Sequence, residues 1–237
     1  MQTKDLHLHA ERHDAGPAGA AEARVTAFIA DRMFPCVGAK SALNKGRLHT
    51  QAFGPLADPA HTERLRQALR EYSSHYPDPG AVPATFIATF AEQTMDEPTF
   101  ERRMWQQLQA LHECDVARGG AWAADVSDDP ARQDFSFSVD GRAFFVVGMH
   151  AGASRMARRT PMPCLVFNFH EQFEHLKATG KYAVMQEAIR ARDRALQGAI
   201  NPVLARFGES SEARQYSGRA IEADWKCPFH SKAHEHA

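Results

Sequence analysis

Cysteine is scarce in this chain and never paired: Cys36, Cys114, Cys164 and Cys227 stand far apart, with no Cys-x-x-Cys anywhere. That spacing excludes a four-cysteine zinc site and reads as reduced thiols in a cytoplasmic protein, not as a disulfide framework. Long apolar runs are missing too. The longest, AFFVVGM and CLVF, fall far short of the roughly 18 residues that span a bilayer, and MQTKDLHLHAERHD has no signal-peptide core. Charge of one sign is also absent, the net being −1 over 237 residues, so neither nucleic acid nor a membrane surface is an expected partner. GAKSALNKG lacks the P-loop spacing, no GxGxxG follows a strand, and GASR is not GxSxG. Nucleotide binding and Ser-His-Asp hydrolysis drop out together.

Histidine, by contrast, is plentiful, with 13 in all. Six sit at the ends: His7, His9 and His13 in front, His230, His234 and His236 behind. Terminal positions make these solvated tail residues. Between the tails the chain is long enough to bury roughly 70% of its unfolded surface in one domain. The expected organisation is a mobile arm over 1–20, a single domain over 21–229 and a His-rich tail over 230–237.

Periodicity supplies the elements. AEARVTAFIADRMF puts Val25, Phe28, Ile29 and Met33 on one helical face, with Pro35 as the stop. DPAHTERLRQALREYSSHY predicts a helix with Pro59 in its first turn and Leu65, Leu69 and Tyr72 inward; DEPTFERRMWQQLQALHECD predicts another around Phe100, Met104, Leu108 and Leu111. RLHTQAFG, ATFIATF and CLVFNF read as strands, and DFSFSVDGRAFFVVGM as a hairpin turning at Asp140-Gly141. The unbroken AFFVV run requires cover on both faces. A helical region from about Glu171 to Gln197, with a break at Gly180, follows CLVFNF. The rest is too rich in breakers to be one element, though Tyr216, Trp225 and Phe229 mark it as packed on the domain. The expected fold is α/β or α+β, a single domain with a mixed sheet of about five strands flanked by helices.

The chemistry-bearing residues gather between Arg142 and Phe173. His150 ends the strand FFVVGM, and Arg155, Arg158 and Arg159 follow it within a glycine-containing loop. A strand-end imidazole beside cations suits an anionic metal cofactor such as heme, the imidazole as axial ligand and the guanidinium groups on its carboxylates. The alternative is a packed hairpin with incidental polar residues. His170 closes CLVFNF at a helix start, beside Asn168 and Gln172, and is the second metal-ligand candidate. In a simple hairpin the two histidines would lie at opposite sheet ends, so only one could bond the iron. His112, with Asp115 three residues on, is a weaker candidate. Cys36 and Cys227, each before a turn, are read as buried inert thiols, with a thiolate ligand as the alternative.

FPCVGAK, VVGMHAGASRMARR, FNFHEQFEHL, LQGAINPVLARFG, QYSGR and a closing WKCPF, in that order, resemble the YqcI/YcgG family from about Phe34 to Phe229. The loop departs from the family's pattern at Ala151, where proline usually follows the histidine. The resemblance implies a heme-dependent N-oxygenase that hydroxylates a nitrogen of a guanidine- or amine-containing small molecule such as arginine. It also implies heme b as cofactor, dioxygen or peroxide as oxidant and an external electron donor. His150 is favoured for the iron because the arginines follow it directly; Arg155, Arg158 and Arg159 are expected on the heme, with a substrate carboxylate as the alternative partner of Arg155, and Glu171, which adjoins His170, is expected with Asn168 and His170 on the substrate. Asp128, Asp129 and Glu174 are further carboxylates considered for a guanidinium, and homodimerisation is the default assembly. The competing expectations are a heme sensor or carrier without turnover, and a non-heme anion-binding protein.

Overall fold

Alternation of inward and outward side chains builds one five-stranded sheet in a computed structural model that describes residues 17–91, 94–199 and 210–232. The strands are β1 (Leu48–Ala52), β2 (Thr85–Thr89), β3 (Phe137–Val139), β4 (Arg142–Met149) and β5 (Cys164–Phe169), in spatial order β1-β2-β5-β4-β3. β1 and β2 run parallel and every other pair antiparallel, so the sheet is mixed. Helices α1 (Pro17–Ala30), α2 (Val37–Asn44), α3 (Thr62–His75), α4 (Glu97–Ala117), α5 (His170–Ala178), α6 (Lys181–Gln197) and α7 (Ala213–Tyr216) complete an α+β fold.

Local chemistry explains the boundaries. Asp140 and Gly141 both take positive φ, 50° and 77°, as the two-residue turn joining β3 to β4 requires. Gly180, at φ 69°, ends one helix and starts the next, so the expected break separates α5 from α6. Two expectations need correction. α1 begins at Pro17, which moves residues 17–20 from the arm into a helix, and it stops at Ala30, leaving Met33 exposed beyond the buried Val25 and Ile29. The tail is pinned at its start: the His230 amide donates to Gln109 Oε1 at 3.0 Å, and the Lys232 amide to His112 Nε2 at 2.9 Å. Residues 1–16, 200–208 of the LQGAINPVLARFG motif, His234 and His236 lie outside the described residues.

Each face of the sheet has its own cover. Phe86, Phe144, Val146, Phe167 and Phe169 meet α3 and α4, where Tyr72 stacks on Phe169 with ring centroids 4.6 Å apart. Burying each of these large side chains contributes about 1.5–3 kcal/mol. The opposite face presents Ile87, Val147, Met149, Cys164 and Val166, covered at one end by Val25 and Ile29 of α1. Over the rest of that face the helices stand off, and a cavity opens.

Candidate functional site

The cavity has a volume of about 270 Å³ and lies between the second sheet face and helices α1, α2, α5 and α6. Period two decides what the sheet contributes: Phe145, Val147 and Met149 from β4, Val166 and Asn168 from β5, Thr85 and Ile87 from β2. Its lining is overwhelmingly apolar, with polar groups confined to a few places, the usual make-up of a small-molecule site. α6 forms the outer wall through Tyr182, Met185 and Ile189, and along its 17 residues Asp193 alone is buried. Little apolar surface therefore holds this wall down.

What does hold it is the arginine loop. Arg155 forms a buried ion pair with Asp193 of α6, and Gln197 accepts from the Met156 amide at 2.8 Å while donating to the Ser154 carbonyl at 2.9 Å. Arg158 is buried and donates to three backbone carbonyls, Gly148 at 2.9 Å, Tyr216 at 3.0 Å and Gln215 at 3.1 Å. No carboxylate among the described residues pairs with it. Burial lowers its pKa to about 10, with Cys36 and Asp193 opposing the shift, so it stays charged at neutral pH. Arg159 turns back onto the carbonyls of its own loop, Ala153 and Ser154. Of the three expected cofactor-binding arginines, Arg155 and Arg158 line the cavity and Arg159 does not.

The expected ligands fare differently. His150 belongs with the residues that face α4: its ring stacks on Phe100 at 4.3 Å, on the opposite side of the sheet from the cavity. Neither ring nitrogen makes a well-aligned hydrogen bond. Burial pushes its pKa down, against the pull of Glu97, the Met95 carbonyl and Asp96, so the imidazole is neutral. His170, at the other end of the sheet, places Nδ1 3.3 Å from the buried Glu212 carboxyl and Nε2 3.8 Å from Glu174. Glu171 pairs with Arg142, whose guanidinium lies over the Phe169 ring. Asn168 alone of the expected catalytic trio reaches the cavity, accepting from Thr85 Oγ1 at 2.8 Å and donating to the Phe145 carbonyl at 3.3 Å. The structure does not bring His150, His170 and Glu171 together.

The remaining candidates are scattered. His112 sits edge-on to Trp122 and Phe229, and the Asp115 carboxylate is turned to Arg66 and the Asp140 amide. Cys227, its thiol pushed up to about 12 by burial, lines a separate surface groove with Asp128 and Asp129. Glu174 pairs with Lys177 at 3.2 Å. The residue that sequence reasoning undervalued is Cys36. It caps the N-terminus of α2, accepts from the Ala39 amide at 3.4 Å and lines the cavity.

Does this set fit a heme? Among the described residues the cavity lining holds no histidine, and the side chains in it able to bond iron are the Cys36 thiol, the Met149 and Met185 thioethers and the Tyr182 phenol. No group of three or more His, Cys, Asp or Glu side chains converges as a metal cluster among them, and a cofactor that needs a single axial donor asks for none. The lining also keeps orphan donors: Gln215 is 3% exposed and its Nε2 has no partner, and the Arg155 Nε is likewise unpaired. Native interiors leave few such groups unsatisfied, so acceptors such as carboxylates are what they lack. The donor set fits a heme placed in this cavity; it does not fit one held by His150 there.

The family model described as the YqcI/YcgG family matches residues 25–230. No curated protein and no solved structure matches the chain. Among the described residues no helix is long and apolar enough to cross a membrane.

Proposed function

Because the chain belongs to the YqcI/YcgG family, we propose that it is a heme-dependent N-oxygenase, cytoplasmic, acting on a guanidine- or amine-containing small molecule. The observation that carries this reading is the apolar cavity whose polar contributions include a thiol, a buried guanidinium paired with no carboxylate among the described residues, and orphan amide and guanidine donors. At about 270 Å³ the cavity is at the small end of ligand sites, which run to roughly 300–1,000 Å³. Taking up a porphyrin and a substrate therefore asks α6 to move outward, which its thin apolar footing permits. Homodimerisation stays the default assembly of this reading.

Bound heme would supply the activation of an oxygen donor and the transfer of one oxygen atom. With dioxygen the reaction consumes two electrons and two protons from an external electron-transfer partner and releases one water beside the N–OH product. With hydrogen peroxide it balances without a reductant, again releasing one water. The chain's own part is positioning and exclusion. Phe145, Val147 and Ile189 keep the chamber dry, so the polar contacts inside it act at low dielectric. Arg155, Arg158 and Gln215 offer cationic and amide donors to carboxylates, whether of the porphyrin or of the substrate. Asn168, fixed between Thr85 and Phe145, presents a rigid amide to the same space.

Absorption spectroscopy tests the reading. Tag-free protein produced with heme supplied is expected to show a stoichiometric Soret band and, with arginine or a simple guanidine plus peroxide or a reductase, an N-hydroxylated product by mass spectrometry. A Soret band without product from any guanidine or amine would turn the reading into a sensor or carrier. Absence of the band would end it.

A further inference from the structure

Resting on that heme reading, we propose that Cys36, and not His150, is the side chain that bonds the iron, as a thiolate. The sulfur gives an electron pair to the metal, and the thiol proton leaves to solvent. Three features of the fold place Cys36 for this task.

Position is the first. Cys36 stands at the mouth of α2 and lines the cavity, whereas His150 belongs to the side of the sheet that faces α4 and is occupied by Phe100. Gly38, two residues on, also lines the cavity, and a Cβ built there would come no nearer than 3.9 Å to the sulfur. Gly38 itself adds no side chain there, and the Met185 sulfur from α6 stands equally near, 3.9 Å from the same position.

Electrostatics is the second. The Cys36 sulfur accepts from the Ala39 amide, within the first turn of α2, where free N–H groups and the helix dipole favour negative charge. Arg158, buried, charged and paired with no carboxylate among the described residues, lines the same cavity and acts on the sulfur. Burial raises the pKa of the Cys36 thiol against the pull of the Ala39 and Gly38 amides and Arg158, so the sulfur keeps its proton until a metal takes the proton's place; a metal deprotonates a coordinating thiol outright, and the thiolate then gains from those amides and that cation.

The third is independent of the cysteine. Gln215 is more than nine-tenths buried, lines the cavity and leaves its Nε2 without a partner, and Arg155 leaves its Nε so. Such donors mark a cavity built around a ligand that carries acceptors, which heme does through its propionates. A thiolate ligand also suits the reaction, since it pushes electron density to the metal and favours O–O cleavage.

The experiment uses the full chain loaded with heme. Wild type is expected to give the long-wavelength ferrous–CO Soret band of thiolate-ligated heme and the narrow low-spin ferric signal of the same ligation by electron paramagnetic resonance. The second readout needs no variant. Cys36→Ser is expected to lose both signatures and weaken heme binding by at least about tenfold, while His150→Ala keeps them. A Soret band in wild type whose CO complex lies at the short-wavelength, imidazole-type position would overturn the Cys36 assignment and leave the heme reading standing. So would signatures that persist in Cys36→Ser and vanish in His150→Ala. No Soret band in wild type would end the heme reading and this assignment together.

Discussion

Replacing Arg158 by methionine is expected to cost the fold about 3–5 kcal/mol, because three buried carbonyls lose a charged donor while the burial of one cation is relieved. Two effects compete. Methionine spares the protein the burial of a cation, a gain of several kcal/mol, but it abandons the carbonyls of Gly148, Gln215 and Tyr216, each of which accepts from the guanidinium. Hydrogen bonds to a charged group are worth about 1.5–3 kcal/mol each, and buried acceptors left without a donor pay the full desolvation cost, so the loss prevails. Lysine should restore little. Its ammonium cannot span carbonyls on two separate segments as the planar fork does. Urea unfolding followed by circular dichroism reads the difference directly, and a loss below about 1 kcal/mol would show that the carbonyls find other donors.

This one side chain also explains why two of the motifs belong together. QYSGR supplies the Gln215 and Tyr216 carbonyls, and Gly218, at φ 79°, passes so close that a Cβ there would stand 3.1 Å from Arg158 Nη1. Gly148 of VVGMH supplies the third carbonyl, and a Cβ on it would strike Phe100 at 2.6 Å. Arg219 closes the motif by pairing with the buried Glu101 at 2.8 Å. The arginine loop is thus a clasp: Arg158 fastens α7 to β4, and Arg155 fastens α6 over the cavity.

Most of the fold was legible because two-sided strands and striped helices announce themselves through period. β4 and β5, the Asp140-Gly141 turn and the break at Gly180 follow from pattern and backbone chemistry alone. α2 did not, for a physical reason. It spans eight residues, buries only Ala42 and so has no apolar stripe, and its N-cap is a cysteine in place of the usual Ser, Thr, Asp or Asn. The site was half legible. Arg155, Arg158 and Asn168 do line the cavity, but strand parity separates His150 from it: Phe144, Val146 and Gly148 face α4, and His150 continues that series while Phe145, Val147 and Met149 look into the cavity. That count of two was available from the sequence. The α6 wall and the meeting of Cys36 with Gln215 were not, since long-range packing alone brings them to one place.

The neutral, buried His150 should instead make the apo protein sensitive to acid. Burial lowers its folded pKa below the ordinary value near 6.5, and Arg158 adds to that shift while Glu97, the Met95 carbonyl and Asp96 oppose it. Below about pH 6.5 the unfolded chain therefore takes up a proton that the folded imidazole refuses, and stability falls as pH falls. The slope approaches about 1.4 kcal/mol per pH unit until the folded imidazole itself charges. His150→Phe removes the titration and keeps a ring to stack on Phe100. Because neither ring nitrogen of His150 makes a well-aligned hydrogen bond, the exchange should cost under about 1 kcal/mol at pH 7. Urea midpoints of the two proteins should then diverge steadily as pH is lowered from 7 to 5, with the variant holding its stability better. His49, whose pKa burial also lowers, titrates in both proteins and cancels from the difference. Parallel pH profiles would mean that the imidazole accepts its proton without leaving the fold, and that its burial is not what keeps it neutral.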